Sequence, residues 1–219
     1  MMTPPATSHQ PPALLLSIDT ATDRPTLALG TPGDPGANAV ILHRHDLSGE
    51  IDRVARSLFA SRGVAPSVLA GVLVADGPGS FTGLRIGIAF AKGLARALAV
   101  PLLAAPSLLG AARAVGGGGG VVVADYGALR GDVYRAIYRF DAGGVTVLAS
   151  PTLVPFASAP AVEGAFLTAT DADASAAALL GLLGLPGGPA ALRDPELWEP
   201  SYGRPAEAEA RRLARNAPA

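Results

Sequence analysis

The stretch Gly77–Gly87 (GPGSFTGLRIG) constrains the fold more than any other part of this 219-residue sequence. It follows the nearly continuous apolar run Val68–Ala75 and precedes the Ala-rich segment Leu84–Ala99, which Pro101 ends. Such an apolar run is typical of a strand covered on both sheet faces, and the later segment has helical spacing. The sequence therefore predicts a strand, a glycine loop and a helix in succession, as in an α/β fold.

The loop differs from the standard phosphate-binding loops. A Walker A loop needs a lysine after its last glycine, and no lysine follows Gly83 directly. In the dinucleotide fingerprint G-x-G-x-x-G, Thr82 stands where the third glycine belongs. Exposed N–H groups and the dipole of the following helix still favour an anion, so a nucleotide contact stays open.

Small residues recur every four positions on the predicted helix after the loop. Such a ridge lets a second helix approach closely by 4-4 packing. Two interpretations stay open: a helix contact within the chain, or a protein–protein seam that also uses the predicted helix Ser48–Arg62. The seam hypothesis assigns these interface residues: Ile51, Val54, Leu58, Gly83, Leu84, Gly87, Ala91 and Ala95.

Composition limits the classes of function. Hydrophobic residues make up 49% and the formal net charge is −1, which indicates a globular protein and argues against nucleic-acid binding mainly through its own basic surface. The absence of cysteine excludes a disulfide scaffold, a thiolate zinc site and a cysteine nucleophile. Residues 1–12 lack the features of a secretory signal, and Leu84–Ala105 carries three cations. We therefore expect a cytoplasmic protein without membrane contact and with a disordered tail at 1–12.

An aspartate and a threonine, Asp19 and Thr20, follow the first predicted strand, Ala13–Ile18, which forms a hairpin with Thr26–Gly30. A carboxylate there can hold a metal–phosphate or activate a hydroxyl, or it can cap its own turn. With the later glycine loop, it suggests the architecture shared by actin, sugar kinases and Hsp70. The candidate residues of such a nucleotide loop, which include an acid after the strand Val121–Ala124, are Asp19, Thr20, Gly77, Gly79, Ser80, Thr82 and Asp125.

The remaining patterns predict two α/β lobes, residues 13–104 and a smaller lobe at 105–219. Neither a metal site nor a hydrolase elbow is predicted, because His43 and His45 have no third ligand at a recognisable spacing and no serine lies in G-x-S-x-G. The further predicted elements are a strand at Ala39–His43, a helix near Pro106–Val115, a flexible loop at Gly116–Gly120, a hairpin of Val133–Phe140 and Val145–Leu148, and helices at Ser175–Leu183 and Ala206–Arg215.

Several segments, taken together, resemble the bacterial TsaB (YeaZ) family. They are LLLSIDTATDRPTLAL, GPGSFTGLRIGIAFAKGLARAL and PLLAAPSL, followed by Arg130–Tyr134 (RGDVY) and Glu199–Arg204 (EPSYGR). The resemblance covers about residues 14–205 and is most specific over 70–107. It implies an actin-like ATPase fold of the ASKHA and RNase H-like type, with two lobes whose mixed sheets are flanked by helices.

The resemblance also implies a role without catalysis. Members of that family partner a related catalytic subunit, TsaD, and an ATPase, TsaE, in transferring a threonylcarbamoyl group to N6 of adenosine 37 in tRNAs reading ANN codons. TsaD-type proteins bind a metal through histidines near the positions of Ser107 and Ala111, which cannot replace them. The glycine loop would then be a relic of a nucleotide-binding ancestor. The chain would have no intrinsic cofactor, with a nucleotide at the joint between partners left open.

The seam hypothesis places Gly83, Gly87 and Ala91 against the TsaD-like subunit, or against a second copy of the chain when that subunit is absent. It predicts that Gly87→Arg abolishes pairing while the monomer stays folded. Contact with tRNA would be indirect, through the complex. Two alternatives stay open: an ATP-dependent kinase that uses Asp19 and the loop for phosphates, and a glycoprotease-like hydrolase.

Overall fold

The computed structural model of the chain describes residues 13–34, 40–41, 46–117, 119–128, 131–159 and 162–203. These residues form two mixed β-sheets with helices packed on them, which confirms the predicted α/β fold with two lobes. The predicted tail at 1–12, the histidines at 43 and 45 and the helix at Ala206–Arg215 lie outside the described residues.

The first sheet has six strands in the order β10-β5-β4-β1-β2-β3. At its centre β1 pairs in parallel with β4, and β4 with β5, whereas β2, β3 and β10 are antiparallel to their neighbours. All residues of the three strands β1, β2 and β4 are buried, as expected for central strands. The bounds are β1 Leu15–Asp19, β2 Thr26–Gly30, β3 Val40–Ile41, β4 Gly71–Ala75, β5 Leu102–Ala105 and β10 Ala190–Ala191.

Two helices with helical apolar spacing, α1 (Leu47–Ser61) and α2 (Phe81–Leu98), contact each other and this sheet. The apolar spacing of both helices is the reason they bury one side against the strands. Two shorter helices, α3 (Ser107–Gly116) and α4 (Ala176–Leu180), pack on each other; α4 also contacts β1, β2 and β4. The helix that follows the glycine loop therefore lies directly on the central strands.

The second sheet has the order β8-β7-β6-β9 and packs against α3. Its strands β6 and β9 are parallel, and β7 forms antiparallel pairs with β6 and β8. The predicted hairpin is present but longer, because β8 continues past Leu148. The bounds are β6 Gly120–Gly127, β7 Asp132–Asp141, β8 Gly144–Pro155 and β9 Leu167–Thr170.

A late segment of the chain belongs to the first sheet, although the strands before it belong to the second. Strand β5 ends at Ala105 in the first sheet, and α3 then packs on β6. Near residue 190 the chain returns, because β10 pairs with β5. The division between residues 104 and 105 stays a prediction. Within the described residues, no helix combines the length and the apolar character that crossing a membrane requires.

Candidate functional site at the glycine loop

The glycine loop connects β4 to α2, as the sequence predicts. Helix α2 begins at Phe81, three residues earlier than predicted, because Ser80 caps it: the Gly83 N–H donates to Ser80 Oγ at 3.2 Å. At the other end of the loop the peptide bond between Gly77 and Pro78 is cis. The Gly77 N–H donates to Ser107 Oγ at 3.0 Å, which ties the loop to the start of α3.

The loop lies in direct contact with the turn that follows β1. The Ser80 N–H donates to the Ala21 carbonyl oxygen at 2.6 Å, and a side chain at Gly79 would clash with that carbonyl. A side chain at Gly83 would clash with the carbonyl oxygen of Thr20. The N–H groups of Gly77, Ser80 and Gly83 thus all donate to groups of the chain itself.

A C-terminal segment covers the other side of the loop. A side chain at Gly77, whose φ is 108°, would clash with the Ser201 carbonyl oxygen. A side chain at Gly203 would meet Pro78 and the ring of Tyr134. The loop is therefore enclosed by the first turn on one side and by residues near 201 on the other.

The eight residues predicted to line a partner seam are all buried inside the chain. On α2, Gly87 packs against Thr20, whose Oγ1 lies where a Cβ of residue 87 would go. The side of α1 and α2 that carries these residues faces the sheet and the other helix. The interpretation as a contact within the chain is thus correct for these side chains. The assignment of these residues to a seam is wrong, because none is exposed: Ile51, Val54, Leu58, Gly83, Leu84, Gly87, Ala91 and Ala95.

A strip along the outer side of α2 is exposed or half-buried and consists of uncharged residues. We call it the free face; its residues are Thr82, Ile86, Ala89, Phe90, Gly93 and Ala97. The open space around a Cβ at Gly93 shows how little covers this side. The charged residues of α2, Arg85, Lys92 and Arg96, lie on the flank that adjoins this strip, and Arg85 and Arg96 are exposed as well. The free face is not evident in the sequence, because its residues are as uncharged as those of the buried ridge.

Asp19 is buried at the end of β1, with 1% of its surface exposed. Its Oδ1 accepts from the Ala21 N–H at 3.1 Å, whereas Oδ2 has no hydrogen-bond partner among the described residues. Burial raises the pKa of Asp19 to about 6, against the opposing effect of the Ala21 N–H. Thr20 Oγ1 is likewise buried, and it has no hydrogen-bond partner among the described residues.

Asp125 lies within β6 and not after its end, because the strand continues past Ala124 to Gly127, and its carboxylate is engaged. Arg135 of β7 donates to both of its oxygens, from Nε at 2.8 Å and Nη2 at 2.6 Å. The two side chains are only 12% and 16% exposed, and hydrogen bonding to Asp125 raises the pKa of Arg135. This forked pair leaves the carboxylate of Asp125 neutralised within its own sheet.

Three further residues of this region were not predicted. Asp76 precedes the loop, and burial raises its pKa to about 6. Tyr126 and Tyr138 of the second sheet are buried; Tyr126 donates to the Ser107 carbonyl oxygen at 2.9 Å. Burial and the charge of Asp19 both raise the pKa of Tyr126, and burial and the charge of Asp76 raise that of Tyr138. The position of Asp76 beside Gly77 is a signal that sequence reasoning could have used; the tyrosines carry none.

The candidate loop residues therefore come together only in part. Asp19, Thr20, Gly77, Gly79 and Ser80 meet at the closed loop, whereas Thr82 lies on the free face and Asp125 is paired on β6. The described residues contain no group of three or more side chains suited to a metal ion. Ser107 and Ala111 are buried, and Ser107 binds the loop.

Comparison with known proteins supplies the family. Residues 42–164 match the model of the family described as TsaD: tRNA N6-adenosine threonylcarbamoyltransferase. The chain is 32% identical over 133 residues to the tRNA threonylcarbamoyladenosine biosynthesis protein TsaB of Escherichia coli, covering 60% of this chain and 57% of that protein. Its Bacillus subtilis namesake is 33% identical over 129 residues, covering 59% and 56%. The match thus spans less than two thirds of these relatives' length.

A solved structure agrees with the sequence relatives. YeaZ from Pseudomonas aeruginosa superposes with a TM-score of 0.63 at 29% identity, covering 70% of this chain and 72% of that one. Together with the two mixed sheets, this similarity confirms the actin-like fold that the resemblance implies. By its matched domain, its sequence relatives and its fold, the chain belongs to the TsaB (YeaZ) family of proteins with a TsaD-type domain.

Proposed function

We propose that the chain is a non-catalytic subunit of the cytoplasmic machinery that makes threonylcarbamoyladenosine in tRNA. In this proposal it pairs with a TsaD-like catalytic subunit and works with a TsaE-like ATPase. The product is the threonylcarbamoyl group on N6 of adenosine 37 in tRNAs reading ANN codons. The names of the E. coli and B. subtilis relatives support the pathway.

The observation that carries the pairing is the free face of α2. A helix on the surface of a monomer normally shows charged residues to water. Along the free face the residues from Thr82 to Ala97 are small or apolar, with Ile86 and Phe90 half-buried, and the exposed Arg85 and Arg96 border it. A stable interface of standard size buries about 1,600 Å² in total and is depleted of charge at its core. The free face fits the core of such an interface with a related chain.

The engaged polar groups of the loop support a subunit without catalysis. A phosphate at this loop would need the N–H groups of Gly77, Ser80 and Gly83, which already donate to Ser107, Ala21 and the helix cap. We therefore propose no intrinsic cofactor, and place any nucleotide of the complex between subunits.

Pairing is tested with the substitution Ala89→Arg, at an exposed position of the free face, because Gly87→Arg would clash with Thr20 and damage the fold. The chain is mixed with the TsaD-like protein of the same organism, and the molar mass is measured by size-exclusion chromatography with light scattering. The wild type is expected to form a mixed species. Ala89→Arg is expected to lower the affinity by at least about tenfold, since it buries an unpaired charge in the seam.

The matched control is Ala114→Arg, an exposed position on α3 in the other lobe. It adds the same side chain to a helix without touching the free face, so it should bind like the wild type. If the wild type forms no mixed species, the pairing proposal is wrong. If Ala89→Arg and Ala114→Arg bind equally well, the partner uses another surface.

A further inference from the structure

We propose that residues 194–203, here called the clasp, reversibly hold α2 in the position that a partner recognises. This inference rests on the proposed function for its consequence, but the clasp itself is visible in the chain alone. It runs along the flank of α2 in the opposite direction to the helix. Near the helix end, Arg96 pairs with Glu196 at 3.3 Å.

The strongest contact of the clasp joins Lys92 and Trp198. The Lys92 Nζ donates to the Trp198 carbonyl oxygen at 2.9 Å and lies 5.3 Å from the centre of the indole ring. A charge-assisted hydrogen bond and a cation–π contact thus act on the same ammonium group. Both partners are half-buried, so this contact is less screened than a surface ion pair.

Further along, the clasp reaches the first turn of α2 and the glycine loop. The ring of Tyr202 lies 4.8 Å from that of Phe81, tilted by 48°. Ser201 passes over Gly77 so closely that no side chain fits there. The clasp therefore supports the start of the helix and closes the loop at the same time.

The clasp and the flank of α2 that it follows carry opposite charges. The clasp carries three carboxylates and the flank of α2 three cations, and of these Glu196 and Arg96 form an ion pair: Asp194, Glu196 and Glu199, and Arg85, Lys92 and Arg96. Asp194 also shapes the start of the clasp, because its side chain accepts from the N–H groups of Glu196 and Leu197. The segment thus lies along the basic flank and leaves the free face uncovered.

The clasp is held mainly by side chains, which makes opening independent of global unfolding. It contains no helix or strand, and Leu197 is 81% exposed. Segments with few buried contacts open locally at a small fraction of the global free energy. When it opens, the first turn of α2 loses Tyr202 and Gly77 loses its cover. A partner that docks on the free face must then order this helix end as it binds, which lowers its affinity.

The sequence offers two unique reporters of this contact. Lys92 is the only lysine and Trp198 the only tryptophan among 219 residues. Limited acetylation of the full chain, read by peptide mass spectrometry, therefore measures access to Lys92, and tryptophan fluorescence with acrylamide measures access to Trp198. We expect Lys92 to be acetylated more slowly than the model compound lysine amide. Trp198→Ala should increase the acetylation rate of Lys92 several-fold. Leu197→Ala, the matched control from the same segment, should leave the rate unchanged.

The consequence for docking is measured with two variants of Lys92 and the TsaD-like partner. Lys92→Gln removes the cation and should weaken the complex about tenfold, because it removes a half-buried cation–π contact and a charge-assisted hydrogen bond that hold α2 in place. Lys92→Arg keeps the cation and should retain most of the affinity. Circular dichroism of both variants confirms that the fold is intact before binding is compared.

The outcomes separate the clasp from the proposed function. Acetylation of Lys92 at the rate of a free amine, in the wild type, would overturn the clasp whatever the partner does. A wild-type chain that forms no complex would overturn the proposed function, while slow acetylation would still establish the clasp in the isolated chain. Equal affinities of Lys92→Gln and the wild type would overturn its role in docking.

Discussion

Two glycines of α2 show how one residue type serves opposite purposes. At Gly87 a Cβ would collide with Thr20 Oγ1, and rotation of Thr20 does not relieve this because its own Cβ would be 3.1 Å away. At Gly93 nothing lies within 4 Å. We expect Gly87→Ala to lower the free energy of unfolding by about 2 kcal/mol through overpacking. Gly93→Ala should raise it by about 0.5–1 kcal/mol, because alanine loses less backbone entropy in a helix.

Urea unfolding of both variants and the wild type measures this difference, with each substitution serving as the control for the other. Both variants replace glycine by alanine in the same helix and gain the same helix propensity. The difference between them therefore reports the contact with Thr20. If Gly87→Ala is stabilised like Gly93→Ala, Thr20 does not pack against the helix and the small residues of α2 do not serve packing within the chain.

Asp19 gives the stability of the protein a dependence on pH. The folded chain binds the proton of Asp19 up to about pH 6, whereas the unfolded aspartate ionises near pH 3.8. The contribution of Asp19 to the free energy of unfolding is therefore fully present below pH 3.8 and is lost as the pH rises through about 6. The loss is about 3 kcal/mol for a pKa shift of this size. Asp19→Asn, which can still accept from Ala21, should match the wild type near pH 3.5 and exceed its stability at pH 7.

The measurement is the difference in free energy of unfolding between Asp19→Asn and the wild type across pH 3.5–7. Subtracting the two removes groups common to both, such as Asp76, whose raised pKa acts in the same direction. A difference that stays constant with pH would mean that Asp19 ionises alike in the folded and unfolded chain, and that burial does not govern its charge.

At the scale of elements, the helices and strands with a clear apolar period are the ones that can be predicted from the sequence. The helical spacing of α1 and the apolar run before the loop identify a helix and a strand with bounds near those observed. Periodicity does not separate the buried ridge of α2 from the free face, because both are uncharged and the burial of the ridge depends on Thr20 and β1. The strands β5, β9 and β10 have two to four residues, which is too few for a pattern, and they are defined by their pairing with a neighbouring strand.

The site divides in the same way. The strand–loop–helix order and the place of Asp19 follow from local sequence, whereas the closure of the loop depends on groups far along the chain. Ser107, Tyr126 and Ser201 reach the loop region only through the tertiary fold. Arg135 likewise neutralises Asp125 across a strand pair, which no spacing in the sequence reveals. Local pattern therefore located the loop but could not say whether it was free to bind.

At the scale of the whole molecule, the two lobes meet at the glycine loop, and groups of the chain itself occupy the space beside this loop. In a kinase of this architecture the cleft must admit a nucleotide between the lobes. Here the turn at Ala21 contacts Ser80, and Tyr126 of the second sheet donates to Ser107 beside the loop. A nucleotide would have to displace these hydrogen bonds as well as the clasp, and each lost bond between buried groups costs free energy without a replacement.

We therefore expect the isolated chain not to bind Mg-ATP in isothermal titration at nucleotide concentrations up to about 1 mM, which corresponds to a binding free energy weaker than about −4 kcal/mol. Asp19→Ala should leave this result unchanged, as should Asp23→Ala, an exposed aspartate of the same turn. Micromolar binding by the wild type that is lost in Asp19→Ala but kept in Asp23→Ala would make the loop a working phosphate site. The chain would then be a kinase-like nucleotide-binding protein, whose closed loop opens for its ligand.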